Sequence, residues 1–259
     1  MDQSINTPPV VVSREEEILI MRLNRPDQRN AMNAALAQGI SAAIDQLEGD
    51  PTLRAGILTG NGPGLCAGMD LKALLKGEKP ITDRGWGGLV RKPPNKPLIV
   101  AIEGFAVAGG LELALSCDLI VAAKGAKLGI PEVQRGLVAA AGGLIRLPKR
   151  IPYHAAMYLA ITGEAITAER AYELGLVNEL CEPGGAFSAA LRLAKRIAAN
   201  APLAVQASKA IVRDSVELDD AAAWELQDRV GLPVILESED AKEGARSFAE
   251  KRQPVWKGR

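Results

Sequence analysis

The sequence predicts an α/β fold that ends in an all-helical subdomain. Short aliphatic runs alternate with helix-period patterns over residues 1–200, which indicates strands joined by helices. From about Glu182 onward the pattern is helix after helix, broken only where proline intervenes, and residues 201–259 make the helical subdomain. Glycine clusters recur at strand-to-helix junctions, where backbones must come close to each other or to a ligand.

The first strand is expected at Ile18–Leu23, ended by the turn Asn24-Arg25-Pro26-Asp27. Asn33 has the chemistry of an N-cap for a helix to about Glu48, whose Leu36, Ile40, Ala43, Ile44 and Leu47 share one face. The run AGILTG gives a second strand to Gly60, and DLKALLKG a short helix for which Asp70 is the expected cap. Residues 77–95 are rich in Gly, Pro and charge, and read as a long surface excursion with the character of a lid. LIVAI is a third strand, followed by the glycine cluster GFAVAGG and helix-like ELALS; DLIVAA and KLGI are further strands. After Glu132 the chain reads as largely helical, with Thr167 and Gly175 as start and stop of one short helix and LVNEL as a brief strand. Breaks are expected at Asn200-Ala201-Pro202 and at Gly231-Leu232-Pro233.

Composition narrows the function. Lys plus Arg and Asp plus Glu are both 31, which gives no electrostatic reason to expect nucleic acid or an anionic membrane as partner. Cys66, Cys117 and Cys181 are odd in number and form no C-x-x-C pair, as expected of reduced thiols in a cytoplasmic protein. The N-terminal stretch MDQSINTPPVVVSREEE lacks the basic start and apolar block of a signal peptide, and no apolar run has the length of a spanning helix. Walker A, G-x-S-x-G, G-x-G-x-x-G and H-E-x-x-H sequences are absent, and no Cys/His cluster offers a metal site. The single histidine is His154, so acid–base chemistry falls to carboxylates.

Two carboxylates stand out. Glu112 follows the glycine cluster of FAVAGGLELA, and Glu132 opens the apolar segment GIPEVQRGLVAAAGG. Directed into one dry pocket, the pair would have their proton affinities driven apart, giving one acid and one base. Taken singly, each is also what the first turn of a helix favours. The junctions CAGMDLK and FAVAGGLELA add backbone N–H groups without helical partners, two of which could bind a developing oxyanion.

Four segments, LTGNGPGLCAGMDL, KPLIVAIEGFAVAGGLELALSCDL, LGIPEVQRGLVAAAGG and ITAERAYELGLVNEL, resemble the enoyl-CoA hydratase (crotonase) superfamily in order and spacing. The resemblance runs from Ile18 to about Lys251. It implies a crotonase-like spiral of ββα units, with the acyl-CoA site in residues 1–200 and an oligomerising helical subdomain in 201–259 that assembles a trimer or a dimer of trimers. It implies an oxyanion hole on the N–H groups of Met69 and Gly109, water activation by Glu112 and proton delivery by Glu132. Acyl-CoA contacts are implied at Gln28, Arg29, Ala31, Ala67, Gly68, Asp70, Leu71, Gly110 and Ala140. No metal or other cofactor is implied, coenzyme A entering as part of the substrate. Trp86 is a candidate for the acyl pocket wall, while Arg25, Arg29 and Lys72 are candidates for phosphate pairing or plain surface charges. The expected activity is reversible addition of water to a 2-enoyl-CoA. Alternatives within the resemblance are a hydroxyacyl-CoA dehydratase of carnitinyl type, an isomerase, a hydrolase, or a non-catalytic acyl-CoA binding protein.

Overall fold

The computed structural model describes residues 8–259; the first seven residues of the stretch read for a targeting signal lie outside it. In chain order the elements are β1 (Val10–Glu15), β2 (Ile18–Leu23), α1 (Ala34–Gly49), β3 (Ala55–Gly60), α2 (Leu71–Leu75), β4 (Ile81–Thr82), β5 (Gly85–Trp86), β6 (Leu98–Ile102), β7 (Phe105–Val107), α3 (Gly109–Ala114), β8 (Leu119–Ala123) and β9 (Lys127–Gly129). They continue with α4 (Gly143–Arg146), α5 (Tyr153–Thr162), β10 (Ile166–Thr167), α6 (Ala168–Glu173), β11 (Glu179–Cys181), α7 (Ala186–Ala198), α8 (Pro202–Ser215), α9 (Asp220–Glu237) and α10 (Glu239–Glu250). Short 3-10 turns occupy Pro26–Gln28, Pro131–Arg135 and Leu147–Lys149.

The main sheet has the order β1-β2-β3-β6-β8-β11 and is parallel except for the β1–β2 hairpin. Its central strands are aliphatic on both faces because each face meets a helix layer. Leu19, Met21 and Leu23 of β2 join the larger core with Leu36, Ile40 and Ile44 of α1. The alternate residues Ile18 and Ile20 join Ile57, Ile99 and Val121 under Ala186, Ala189, Ala190 and Ala194 of α7. Alanine at those four positions lets α7 lie close against the sheet.

A second sheet, β10-β9-β7, runs alongside. The chain alternates between the two sheets: β6 lies in the first, β7 in the second, then α3 comes next; β8, β9 and the 131–135 turn repeat that course. An isolated parallel bridge from Cys66 to Ala106 extends the pattern back to the turn formed by β3 and α2. Cys66, Ala106 and Leu128 therefore form one row of backbone partners across three successive turns of a ββα spiral.

Several expectations were met by the same chemistry that suggested them. Asn33 caps α1 by accepting from the Leu36 N–H, Asp70 caps α2 through the Ala73 N–H, and Thr167 caps α6 through the Arg170 N–H. Others need correction. Strand β1 was not anticipated, because Val10–Glu15 is charged at its end and buried mainly at Val10. Residues 84–90 are not a surface excursion: Arg84, Gly85, Gly87, Gly88, Leu89 and Val90 are buried. Arg84 anchors them by donating to Asp45 from Nε (3.1 Å) and Nη2 (2.6 Å) and to the Lys92 carbonyl from Nη1 (2.8 Å). Residues 136–142 are irregular where helix was expected, and the N–H groups of Ala141 within that stretch and of Gly143 just after it donate to a side chain. Helix α9 continues through Pro233, which deletes one helical donor while the neighbouring bonds carry the helix on.

The helices after residue 201 bury little. Helix α8 has no buried residue and α9 only Leu226, while Trp224, Ile235, Leu236 and Phe248 are exposed. A cleft of about 1440 Å³ separates α8 from the core around Cys117 and Asp118. Among the described residues, no helix is long and apolar enough to cross a membrane.

One polar residue ties two loops together. Asn30 is fully buried; its side chain accepts from the Arg25 N–H (2.9 Å) and donates to the carbonyls of Asn61 (3.0 Å) and Gly64 (3.1 Å). Asn30→Ala strands those groups without water, so a urea melt should show a loss of ~2–4 kcal/mol. A loss under ~0.5 kcal/mol would contradict this reading of the contact.

Candidate active site

The site is built where the three spiral turns leave the second sheet. Met69 lies three residues beyond Cys66, and Gly109 three residues beyond Ala106, so both reach the same level from adjacent turns. Glu132 lies four residues beyond Leu128 of the third turn. The loops touch: a Cβ added to Gly68 would stand 2.6 Å from Ala108 Cβ and 3.3 Å from Gly109 N. Gly68 has φ +93, a conformation that glycine adopts without penalty.

Ala108 introduces α3 with φ 52 and ψ −133, a strained backbone for a residue with a side chain. This turn lets the Ala108 N–H donate to the Gly129 carbonyl (2.9 Å) while the chain swings directly into helix. Gly109 is the first residue of α3, so its N–H has no acceptor within the helix. Among the described residues, neither the Gly109 N–H nor the Met69 N–H has a hydrogen-bond partner. The flanking N–H of Asp70 is used, donating to the Met32 carbonyl at 3.0 Å. Gly110 is glycine for packing, since a Cβ there would lie 2.1 Å from the Cys66 carbonyl oxygen.

Glu112 lies one turn into α3 and is only 3% exposed. Its Oε1 accepts from the N–H groups of Ala141 (2.7 Å) and Gly143 (2.8 Å). Burial raises its pKa; those two N–H bonds and the nearby Arg146 charge oppose the rise. Glu132 sits in the first turn of the 131–135 segment with Oε2 buried and unpaired. Burial pushes its carboxyl up to about 6; its own N–H opposes the shift and repulsion from Glu112 adds to it. The two carboxylates thus share one electrostatic environment but differ in hydrogen bonding. Glu112 has donors that favour the ionised form, whereas Glu132 has a buried oxygen with no donor, which favours the protonated form. Glu132 also borders an apolar cavity of about 390 Å³, walled by Ile130, Val138, Leu144, Tyr153, Met157 and Ile161.

The segments expected to meet coenzyme A lie side by side. The Ala67 N–H donates to the Arg29 carbonyl (3.1 Å), the Met32 N–H to the Gly68 carbonyl (2.7 Å), and Met32 bridges Met69. Gln28, Arg29 and Ala31 therefore border Ala67, Gly68, Asp70 and Leu71. Gln28, Arg29, Leu71 and Lys72 are exposed. Arg25 is not free for a phosphate: Nη2 pairs with Asp70 at 3.0 Å and Nη1 donates to the Ala31 carbonyl. Ala140 is exposed next to Ala141, and it is the Ala141 N–H that reaches Glu112. Sequence reasoning missed Ala141, Gly143 and Arg146. The signal available was the run AAAGG, too small and flexible to make a convincing helix. Among the described residues, no group of three or more His, Cys, Asp or Glu side chains is placed to hold a metal ion.

A spiral of ββα turns that ends in helices is also the fold of proteins similar to this chain. The profile of the enoyl-CoA hydratase/isomerase family matches residues 13–259, and the chain belongs to that family. It is 40% identical to the enoyl-CoA hydratase EchA19 of Mycobacterium tuberculosis, over 97% of both chains. It is 41% identical to the carnitinyl-CoA dehydratase of Proteus mirabilis, over 93% of this chain and 95% of that one. A crystal structure of an enoyl-CoA hydratase from M. tuberculosis H37Rv superposes with a TM-score of 0.95 at 53% identity, covering 97% of this chain and 100% of that one.

The Glu132 environment predicts a pH-dependent stability. Between pH ~4.5 and ~6 the folded protein holds more of this proton than the unfolded chain does, so stability falls as pH rises through that window. Glu132→Gln removes the burial penalty. Thermal melts at pH 8 should show the variant more stable by ~1 kcal/mol, after discounting for solvent at a half-buried group, with no gain at pH 4. An equal gain at both pH values would assign the effect to packing.

Proposed function

We propose that this protein is a hydro-lyase that adds water reversibly to a 2-enoyl-CoA thioester. The observation that carries the proposal is the contrast between the two carboxylates: buried Glu112 accepts two backbone N–H bonds, and half-buried Glu132 keeps a buried oxygen free with its carboxyl pushed up to about 6. In the proposed reaction the thioester oxygen takes the open N–H groups of Met69 and Gly109. Ionised Glu112 accepts a proton from water as the water oxygen bonds to C3, and negative charge moves onto the thioester oxygen as an enolate. Protonated Glu132 then delivers its proton to C2, and exchange of the carboxyl protons with solvent resets the pair. Each backbone donor of such a hole is worth ~2.7–4 kcal/mol in the transition state, and each positioned acid or base about a hundred- to ten-thousand-fold.

Gln28, Arg29, Ala31, Ala67, Gly68, Asp70 and Leu71 are assigned to coenzyme A, with Gly110 and Ala140 beside the reacting end. No metal or redox group enters the scheme, coenzyme A being part of the substrate. Dehydration of a hydroxyacyl-CoA, the reaction named for the Proteus mirabilis relative, uses the same groups in reverse. The largely aliphatic walls beside Glu132 favour an uncharged acyl group over a cationic one. The proposal carries a cytoplasmic location, supported by three unpaired cysteines of which two are buried. It also carries a trimer or dimer of trimers, supported by the exposed apolar residues of α8 to α10. Light scattering at micromolar concentration should give at least three times 27.3 kDa; a monomer removes the assembly from the proposal.

Loss of enoyl-thioester absorbance with crotonyl-CoA tests the chemistry. Glu112→Gln and Glu132→Gln should each lower turnover by at least about a hundredfold while acyl-CoA binding stays within about tenfold. Full turnover in Glu112→Gln would exclude water activation by that residue and leave an isomerase or hydrolase. Binding of acyl-CoA without turnover by the wild type would leave a binding protein.

A further inference from the structure

The segment 81–90 brings an aromatic side chain to the reacting end of the site. Strands β4 and β5 pair Ile81 with Trp86 and Thr82 with Gly85. The hairpin is held by Arg84 on Asp45 and by close packing on α1, where a Cβ at Gly88 would lie 2.1 Å from the Ala37 carbonyl oxygen. On its other side, a Cβ at Gly87 would lie 2.8 Å from Leu113 of α3. The hairpin is thus fixed between α1 and α3 and does not behave as a free flap.

Trp86 is the residue this clamp presents to Gly109. A Cβ built on Gly109 would be 2.1 Å from Trp86 Cη2 and within 2.8 Å of Cζ2 and Cζ3, so the edge of the six-membered ring rests on the Gly109 backbone. The indole is partly buried and packs on the core. Its Nε1–H has no partner among the described residues and is not one of the buried orphan atoms, so that edge remains reachable. The ring therefore lies against the same residue whose N–H is open.

Resting on the proposed hydratase reading, we propose that Trp86 is a specificity-determining residue: its indole is a rigid wall beside Gly109 that limits the bulk of the acyl group next to the thioester carbonyl. Because the hairpin is pinned, the wall does not retreat for a larger group. Thioesters whose C3 carries a methyl or straight alkyl group pass it, and those with a ring or branch at that point do not.

The test compares crotonyl-CoA with cinnamoyl-CoA, in which phenyl replaces the C3 methyl, for the wild type, Trp86→Phe and Trp86→Ala. The ratio of kcat/KM for cinnamoyl over crotonyl should rise at least tenfold in Trp86→Ala and by less in Trp86→Phe. A general loss of packing lowers both substrates together and leaves the ratio alone. Should Trp86→Ala fail to fold, Trp86→Phe and Trp86→Leu carry the comparison. The dissociation constants of butyryl-CoA and 3-phenylpropanoyl-CoA should shift in the same sense, and these need no turnover. A moved binding ratio without any hydration would overturn the hydratase reading and keep the wall. Hydration with both ratios unchanged within twofold in all variants would overturn the wall.

Discussion

The row of backbone partners through Cys66, Ala106 and Leu128 is the constraint on which the site depends. A chain that alternates between two sheets must leave the second sheet at the same level on each turn. The residues just beyond each exit are therefore brought together without any direct bond between the functional groups. Met69 and Gly109 are equivalent positions on neighbouring turns, and Glu132 opens the next. Such a site is rigid because moving one member means breaking main-chain pairing of β7 with β9, strands that follow directly on the paired core strands β6 and β8.

The local costs concentrate at this same place. Ala108 holds a backbone conformation that residues with side chains avoid, Glu112 is buried in an apolar helix, and Glu132 keeps an oxygen without a donor. Each conflicts with the rule that local preference and global fold agree, and the surrounding structure over-determines them all. The 136–142 segment lacks helical bonding, and Ala141 within it and Gly143 at the start of α4 direct their N–H groups at Glu112. The polar satisfaction of one side chain is thus tied to the conformation of a loop 29 residues further along the chain.

Legibility followed the range of the forces. Strands β2, β3, β6 and β8 could be read because runs such as ILIMRL and LIVAI are aliphatic on both faces, and the caps Asn33, Asp70 and Thr167 because capping acts within three residues. Glu112, Glu132 and the glycines could be singled out because each looks wrong in its own neighbourhood. Their proximity could not be read from composition or period, and came only through the family resemblance. Strand β1 escaped because Ser13, Arg14 and Glu15 mask an edge strand whose partner is β2. The burial of 84–90 escaped because it hangs on Arg84 reaching Asp45, 39 residues away, and glycine-rich charged sequence reads as surface until that partner is known.

The division between main chain and side chain explains how one frame can accept different acyl groups. The proposed oxyanion donors are backbone N–H groups, and the donors to Glu112 are backbone as well. Substituting the side chain of Met69 or Ala141 leaves those donors in place. The groups proposed to meet the variable part of a substrate are side chains: Trp86 on the hairpin, and Val138, Leu144, Tyr153 and Met157 around the cavity beside Glu132. These stand outside the row of strand pairing, so their size can change without altering the level at which Met69, Gly109 and Glu132 meet. In the proposed reaction the enolate chemistry is tied to the spiral, and the choice of acyl group to what packs against it.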